Sequence, residues 1–476
     1  ENKDKLSRAK NIGEEELENY NLIQLGFWPG GDRDGNPFVT ADITRQVADE
    51  LRTTLLKCYY NHLKTLRRRL TFSNIQPILT DLSDKLYQNM FGLKNDISLE
   101  NILHPLYSVK NILNLEHEGL FVELVEDFIT RVNIFKMHFA TLDIRQDSRI
   151  HHNVFTTVID HLIEKGGGSF PKNYHDLSED EQIKILSEVT NESVDINAFE
   201  DEMVANTLKT IETIKDIQFS NGERGANRYI ISNNQTALNV MQLFAMLKIV
   251  AFKDDLTVDV APLFETITDL ENAPDVMEQL YTNPAYRAHL KKRGDKQTIM
   301  LGFSDGTKDG GYLMANWGIF KAKELLTEMS RKYDITAIFF DGRGGPPARG
   351  GGKTHQFYSS LGPTIEDKEV QLTIQGQTIS SNFGTLDSSK YNLEQLISSG
   401  VSNRFGKNQQ AMSKEDKYVM NDLAETSYEA YKNFKSHPMF IPYLERMSTL
   451  KYYAKTNIGS RPSKRGTSDK LVFSDL

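Results

Sequence analysis

The sequence has a single cysteine, Cys58, among 476 residues. No intrachain disulfide can form, so the chain suits a reducing compartment, and a cytoplasmic location is expected. It also lacks a long hydrophobic run. The best stretch, Val240 to Phe252, is short and is broken by Gln242 and Lys248, so no membrane span is expected. The N-terminal "ENKDKLSRAK" has no apolar signal core. Positive charge is not in excess: the formal net charge is -9, which argues against nucleic acid as the main partner. H-E-x-x-H, Cys-x-x-Cys and G-x-S-x-G are all missing, so zinc-protease, zinc-ribbon and serine-hydrolase readings have no support. There is no initiator Met, and "LVFSDL" ends the chain without the character of a tail. The chain is therefore expected to be a piece of a longer protein.

What is present describes a globular α/β protein. Apolar residues make up 39% and charged residues 25%, within the range of folded domains. Ile43, Val47, Leu51, Leu55, Tyr59, Leu63, Leu66 and Leu70 recur every three or four residues, predicting a long helix over Thr40–Leu70. Further helices are expected over Leu99–Leu115, Leu120–Phe139 and Arg149–Lys165, and a helical insertion over Asp176–Asn221. Beyond these, short apolar runs end in polar or glycine clusters: "HFATLDIRQD", "RYIISNNQ", "TVDVAPLFET", "TIMLGFSDGTKDGG", "ITAIFFDGRGG" and "VQLTIQGQT", with "LGFWPGGDRDGNP" as a seventh. Alternation of such runs with helices predicts parallel strands. The chemistry-bearing residues fall at their C-terminal ends, where a (β/α)-barrel places its site. Seven runs suggest an eight-stranded TIM-type barrel with one strand missing; an open doubly wound sheet is the alternative.

Several strand ends carry charge. Glu265 in "VAPLFET" and Asp305 in "LGFSDGTKDGG" are carboxylates that suit Mg²⁺ or Mn²⁺, with waters and a substrate phosphate completing the shell. Strand-end acids also cap helices, and Lys308, three residues after Asp305, also reads as an exposed lysine at a helix start. Arg145 is a strand-end cation. In "GGDRDGNP", Asp32 and Arg33 read best as an ion-paired turn, and Trp28 before it can wall a pocket. His151, His152 and His355 have no partners by spacing and read as structural or solvated. "FFDGRGGPPARGGGKTH" places Arg343 and Arg349 on a glycine-rich backbone. It is not a P-loop, because Pro347 stands where the first glycine is required, and G-x-G-x-x-G fails at the same residue. A loop that closes on an anion remains, against a plain surface linker.

Taken in order, "GGDRDGNPFVTADITR", "LDIRQDS", "VAPLFETITDL", "GFSDGTKDGGYLMANW", "GRGGPPARGGG" and "GSRPSKR" resemble the blocks of phosphoenolpyruvate carboxylase, from about Asn19 to the end. The resemblance implies the (β/α)8 barrel, with residues 1–476 as the central portion of one large domain and helical insertions around 41–139 and 176–221. It implies Mg²⁺ or Mn²⁺ at Glu265 and Asp305. Lys308, Arg145, Arg343 and Arg461 then take cationic active-site positions, the last two for the substrate phosphate. Trp28 lines the pocket for the substrate's methylene, and Arg349 is a loop arginine that also meets an acidic feedback inhibitor. Asp341 stands where many relatives carry His, placing an acid beside an anion site, and Gln377 stands where many carry Glu. The family's Thr-Ala-His-Pro-Thr segment, another phosphate-binding arginine and the helical C-terminal half are not in this sequence, so the isolated chain is expected to be inactive.

The implied reaction joins phosphoenolpyruvate and bicarbonate through carboxyphosphate and a metal-bound enolate, giving oxaloacetate and phosphate. The implied assembly is a homo-oligomer, a homotetramer in the family, with no nucleic-acid or membrane partner. The alternatives are a phosphoenolpyruvate-binding phosphotransferase barrel of the pyruvate phosphate dikinase type, a non-catalytic anion-binding module, and a fragment whose barrel is only scaffold.

Overall fold

A computed structural model describes residues 20–94, 96–166, 168–190, 192–344, 350–405 and 411–449. The chain forms two compact units. One takes the described residues of 1–28, 42–143 and 213–227; the other takes those of 29–41, 144–212 and 228–476.

The first unit is largely helical. Helices Ala41–Arg69, Gln76–Met90, Leu99–Glu116 and Val122–Phe135 bury one stripe each. Leu55, Tyr59, Leu63 and Leu66 of the first meet Leu79, Leu82 and Leu86, Ile102, Leu106 and Val109, and Val125 and Phe128 of the others. That three-to-four spacing is the one read in the sequence, although Ile43 at the helix start is exposed. Strands β1 (Gly26–Phe27) and β2 (Thr141–Leu142) pair in parallel in this unit.

The second unit carries a six-stranded parallel sheet. Its strands are β3 (Ile144–Asp147), β4 (Arg228–Ser232), β5 (Asp259–Phe264), β6 (Lys296–Leu301), β7 (Thr336–Asp341) and β8 (Val370–Leu372), in strict chain order. β3 to β7 are buried along nearly their whole length, as strands covered on both faces must be. Each of the seven apolar runs contains a strand. The order never reverses, so the sheet has none of the switch points of a doubly wound fold. The protein is α/β, but no closed eight-stranded barrel is present among the described residues. Among the described residues, the short stretch 31–33 pairs with Arg145 at the open side of β3, where Pro29 and Gly30, with φ of 84°, interrupt the segment that would continue as a strand.

Candidate active site

β5 and β6 bring the two candidate metal carboxylates to one end of the sheet. Glu265 follows the last residue of β5, and Phe264 accepts the N–H of Gly302, just past β6, at 2.9 Å. A Cβ at Gly302 would lie 3.2 Å from both Cα and Cγ of Glu265, and one at Gly306 would lie 3.3 Å from its carbonyl oxygen. The glycines of "LGFSDG" thus let the helix Phe303–Lys332 start directly against Glu265 and put Asp305 in its first turn. Asn233, in a left-handed conformation after β4, donates its backbone N–H to Glu265 Oε2 at 2.8 Å.

Burial and the Asp305 charge push the Glu265 carboxyl up to about 7, although the Asn233 N–H and Arg145 oppose the rise. Two carboxylates that resist ionising together are a receptive place for a cation. Among the described residues no group of three or more His, Cys, Asp or Glu side chains converges for a metal. Two hard oxygen donors with open positions fit Mg²⁺ or Mn²⁺, which keep waters and substrate oxygens. Lys308 donates to Asp305 Oδ1 at 3.2 Å, so acid and lysine share one turn. A polar hollow of about 450 Å³ lined by Ser148, Arg149, His152 and Asn233 shares Asn233 with Glu265.

The cations divide by environment. Arg145 is buried, and its Nε and Nη2 donate to the two oxygens of Asp32 at 2.7 and 2.9 Å, with Asp34 at 3.3 Å. Burial opposes its charge, but Asp32 and Asp34 outweigh it and hold the guanidinium above its usual pKa. The ion-paired turn expected of Asp32 and Arg33 is therefore corrected: Asp32 pairs with Arg145, while Arg33 donates to the Val39 carbonyl at 3.1 Å and to Thr210 Oγ1 at 2.6 Å. Parallel pairing of residues 31–33 with Arg145 brings these side chains together, which spacing within the turn could not reveal.

Arg343 stands just past β7 and is 5% exposed. Its Nε donates to the Gly350 carbonyl at 2.6 Å, and its Cζ sits 3.9 Å from the Phe357 ring centroid, a cation–π stack. The glycines here have a steric cause. A Cβ at Gly342 would lie 3.0 Å from the Leu301 carbonyl, and one at Gly350, with φ of 76°, would lie 2.3 Å from Phe303 Cδ1.

Asp341 is no loose negative charge beside this arginine. It is fully buried, with Lys323 Nζ 2.7 Å from Oδ1 and the Tyr358 hydroxyl donating to Oδ2 at 2.9 Å. Lys323 was missed by sequence reasoning, as were Asn233, Phe357 and Tyr358. A lysine on an amphipathic helix carries no signal that it faces inward, and a backbone N–H has no sequence signature.

Trp28 follows β1 in the first unit and donates its indole N–H to Asp143 at 2.9 Å. Arg349 and Arg461 lie outside the described residues. His151 is buried against the Tyr229 hydroxyl at 3.1 Å and His152 meets Gln242 at 3.1 Å, consistent with structural roles. The second unit thus holds a carboxylate pair with a lysine at the ends of β5 and β6 and a stacked, buried arginine at the end of β7. Such a set can hold a divalent cation and bind an anion.

A family model described as phosphoenolpyruvate carboxylase matches the chain over residues 3–98 and 83–474. That spans well over half of the sequence, and the chain belongs to this family of carboxy-lyases. No helix among the described residues is long and apolar enough to cross a membrane.

Proposed function

We propose that this member of the phosphoenolpyruvate carboxylase family forms oxaloacetate and phosphate from phosphoenolpyruvate and bicarbonate. The observation that carries the proposal is the carboxylate pair Glu265 and Asp305, with Glu265 pushed up to about 7 by burial and by its neighbour's charge. A bicarbonate oxygen attacks the phosphorus and the bond from phosphorus to the enol oxygen breaks, leaving carboxyphosphate and the enolate of pyruvate. Carboxyphosphate then splits into CO₂ and phosphate, and the enolate carbon attacks the CO₂.

Glu265 and Asp305 would hold Mg²⁺ or Mn²⁺, which supplies concentrated positive charge among the reacting anions. Lys308 adds a mobile cation beside Asp305. Arg343 binds the phosphate through its guanidinium, which the Gly350 carbonyl, the Tyr358 hydroxyl and the Phe357 ring hold in place. Arg145 acts as a fixed positive charge beneath the site, favouring ionised Glu265. The family resemblance supports assigning Trp28 to the substrate's methylene, Arg461 to the phosphate with Arg343, and Arg349 to the inhibitor.

The unbroken chain order of six parallel strands supports a TIM-type barrel. A homo-oligomeric, cytoplasmic enzyme belongs to the same proposal.

The test is phosphate release from phosphoenolpyruvate by the full-length protein, with bicarbonate and Mn²⁺ varied separately. Release that requires both, and that Glu265→Gln abolishes, supports the assignment. Release independent of bicarbonate overturns it.

A further inference from the structure

The helix that carries Asp305 and Lys308 is broken. Gly311 has φ of 78° and ψ of 170°, so Phe303–Gly310 forms a short arm of its own ahead of the longer helical run to Lys332. The last carbonyls of such an arm have no partners within it. Here the helix Lys414–Lys435 supplies them. The Tyr431 hydroxyl donates to the Lys308 carbonyl at 3.0 Å. Lys435 Nζ donates to the same carbonyl at 2.9 Å and to that of Asp309 at 3.1 Å. A cation at this end also opposes the negative pole of the arm.

The fit is close in both directions. A Cβ at Gly311 would lie 3.1 Å from Tyr431 Cγ, so the break and the tyrosine are matched in shape. The Asp309 side chain accepts the Ile267 N–H at 3.0 Å and ties the arm to the helix start beyond Glu265. The Lys414–Lys435 helix is itself anchored past the break. Trp317 donates to Asn421 at 2.7 Å, Lys417 pairs with Glu324 at 2.7 Å, and Ala424 is buried with Ile267, Met314, Ala315 and Trp317.

From this geometry we infer that Tyr431 and Lys435 are positioning residues for the metal site: they cap the arm from outside and fix where Asp305 and Lys308 stand. The inference rests on the proposed role of Asp305. Both residues hold carbonyls of the arm, so their effect passes through its backbone. Removing an outer partner of a metal ligand typically weakens binding about 10- to 100-fold. Partners that hold backbone rather than the ligand's own side chain belong at the low end of that range.

The test uses the full-length protein with Lys435→Met, Lys435→Arg, Tyr431→Phe and Asp305→Asn. Mn²⁺ affinity is read from the electron paramagnetic resonance signal of the free ion, and thermal melting in chelator reports the fold. Lys435→Met is expected to weaken Mn²⁺ binding about tenfold, Tyr431→Phe less, and Lys435→Arg least, with Asp305→Asn weaker than all three. In turnover assays the Mn²⁺ requirement should rise more than kcat falls. If Lys435→Met fails to fold, Tyr431→Phe and Lys435→Arg carry the same comparison. Unchanged Mn²⁺ affinity in the Lys435 and Tyr431 variants, with loss in Asp305→Asn, overturns the positioning role and leaves the Asp305 assignment standing. Unchanged affinity in Asp305→Asn overturns that assignment, and the positioning role with it.

Discussion

Lys323 and Asp341 form an ion pair inside the protein, with the ammonium nitrogen 2.7 Å from one carboxylate oxygen and 2.9 Å from the other. Both side chains are all but fully buried, at 1% and 0% exposure. Removing one partner from such a pair strands a charge in a poorly solvated place. Lys323→Met is expected to cost about 3–5 kcal/mol of stability, read as a lower urea midpoint. Lys323→Met combined with Asp341→Asn should recover much of that loss. A single variant as stable as the parent would show that Asp341 takes up a proton at little cost.

Glu265 makes the site costly to keep empty. Its folded carboxyl titrates at about 7 against an ordinary 4.5. Between those values the native state holds a proton that the unfolded chain has lost. Stability therefore falls as pH rises from 4.5, and above 7 the cost is complete, on the order of 3 kcal/mol. In chelator at pH 8, Glu265→Gln should melt a few degrees above the parent, and at pH 4 the two should coincide. Mn²⁺ should raise the melting temperature of the parent and not of the variant.

Arg343 offers the plainest test of anion binding. Loss of one charge-assisted donor costs about 2–4 kcal/mol by analogy with other transition-state donors, so Arg343→Ala in the full-length enzyme should lower turnover roughly a hundredfold or more. Arg343→Lys should recover only part, because an ammonium reproduces neither the fork nor the stack on Phe357. Turnover near that of the parent in Arg343→Ala would make the glycine-rich segment a linker.

Acid should weaken the fold through its buried histidines. Burial lowers His151 to about 3 and His138 and His289 to about 4, from an ordinary 6.5. The unfolded chain takes up these protons first, so stability falls as pH drops from 6.5 towards 3. His151→Gln should flatten that slope in urea titrations between pH 7 and pH 5. An unchanged slope would show that His151 is protonated without penalty.

The parts of the fold written in local spacing were readable beforehand. The helix expected over Thr40–Leu70 spans Ala41–Arg69, and each apolar run ending in acid or glycine holds a strand. The position of the candidate site at the C-terminal ends of β5, β6 and β7 was readable for the same reason. Pairings between distant segments were not. Asp32 and Arg145 are 113 residues apart, Lys323 and Asp341 share no motif, and Lys435 lies 127 residues beyond the carbonyl it caps. Such contacts depend on which elements lie side by side, and periodicity within one element says nothing about its neighbours.

At Gly350 any Cβ would strike Phe303. Phe303 is the first residue of the arm that bears Asp305, and its ring also lies 5.8 Å from that of Phe357, the face on which Arg343 rests. Arg343 therefore rests on the Phe357 ring and on the Gly350 carbonyl, and both Phe357 and Gly350 lie against the Phe303 ring at the root of the arm that bears Asp305. A ligand that shifts this ring from either side changes the affinity on the other by the same factor, since linkage between two sites is reciprocal. Phosphate ester and divalent ion should each change the other's affinity by one common factor, and Gly350→Ala, whose Cβ would strike Phe303, should alter that factor.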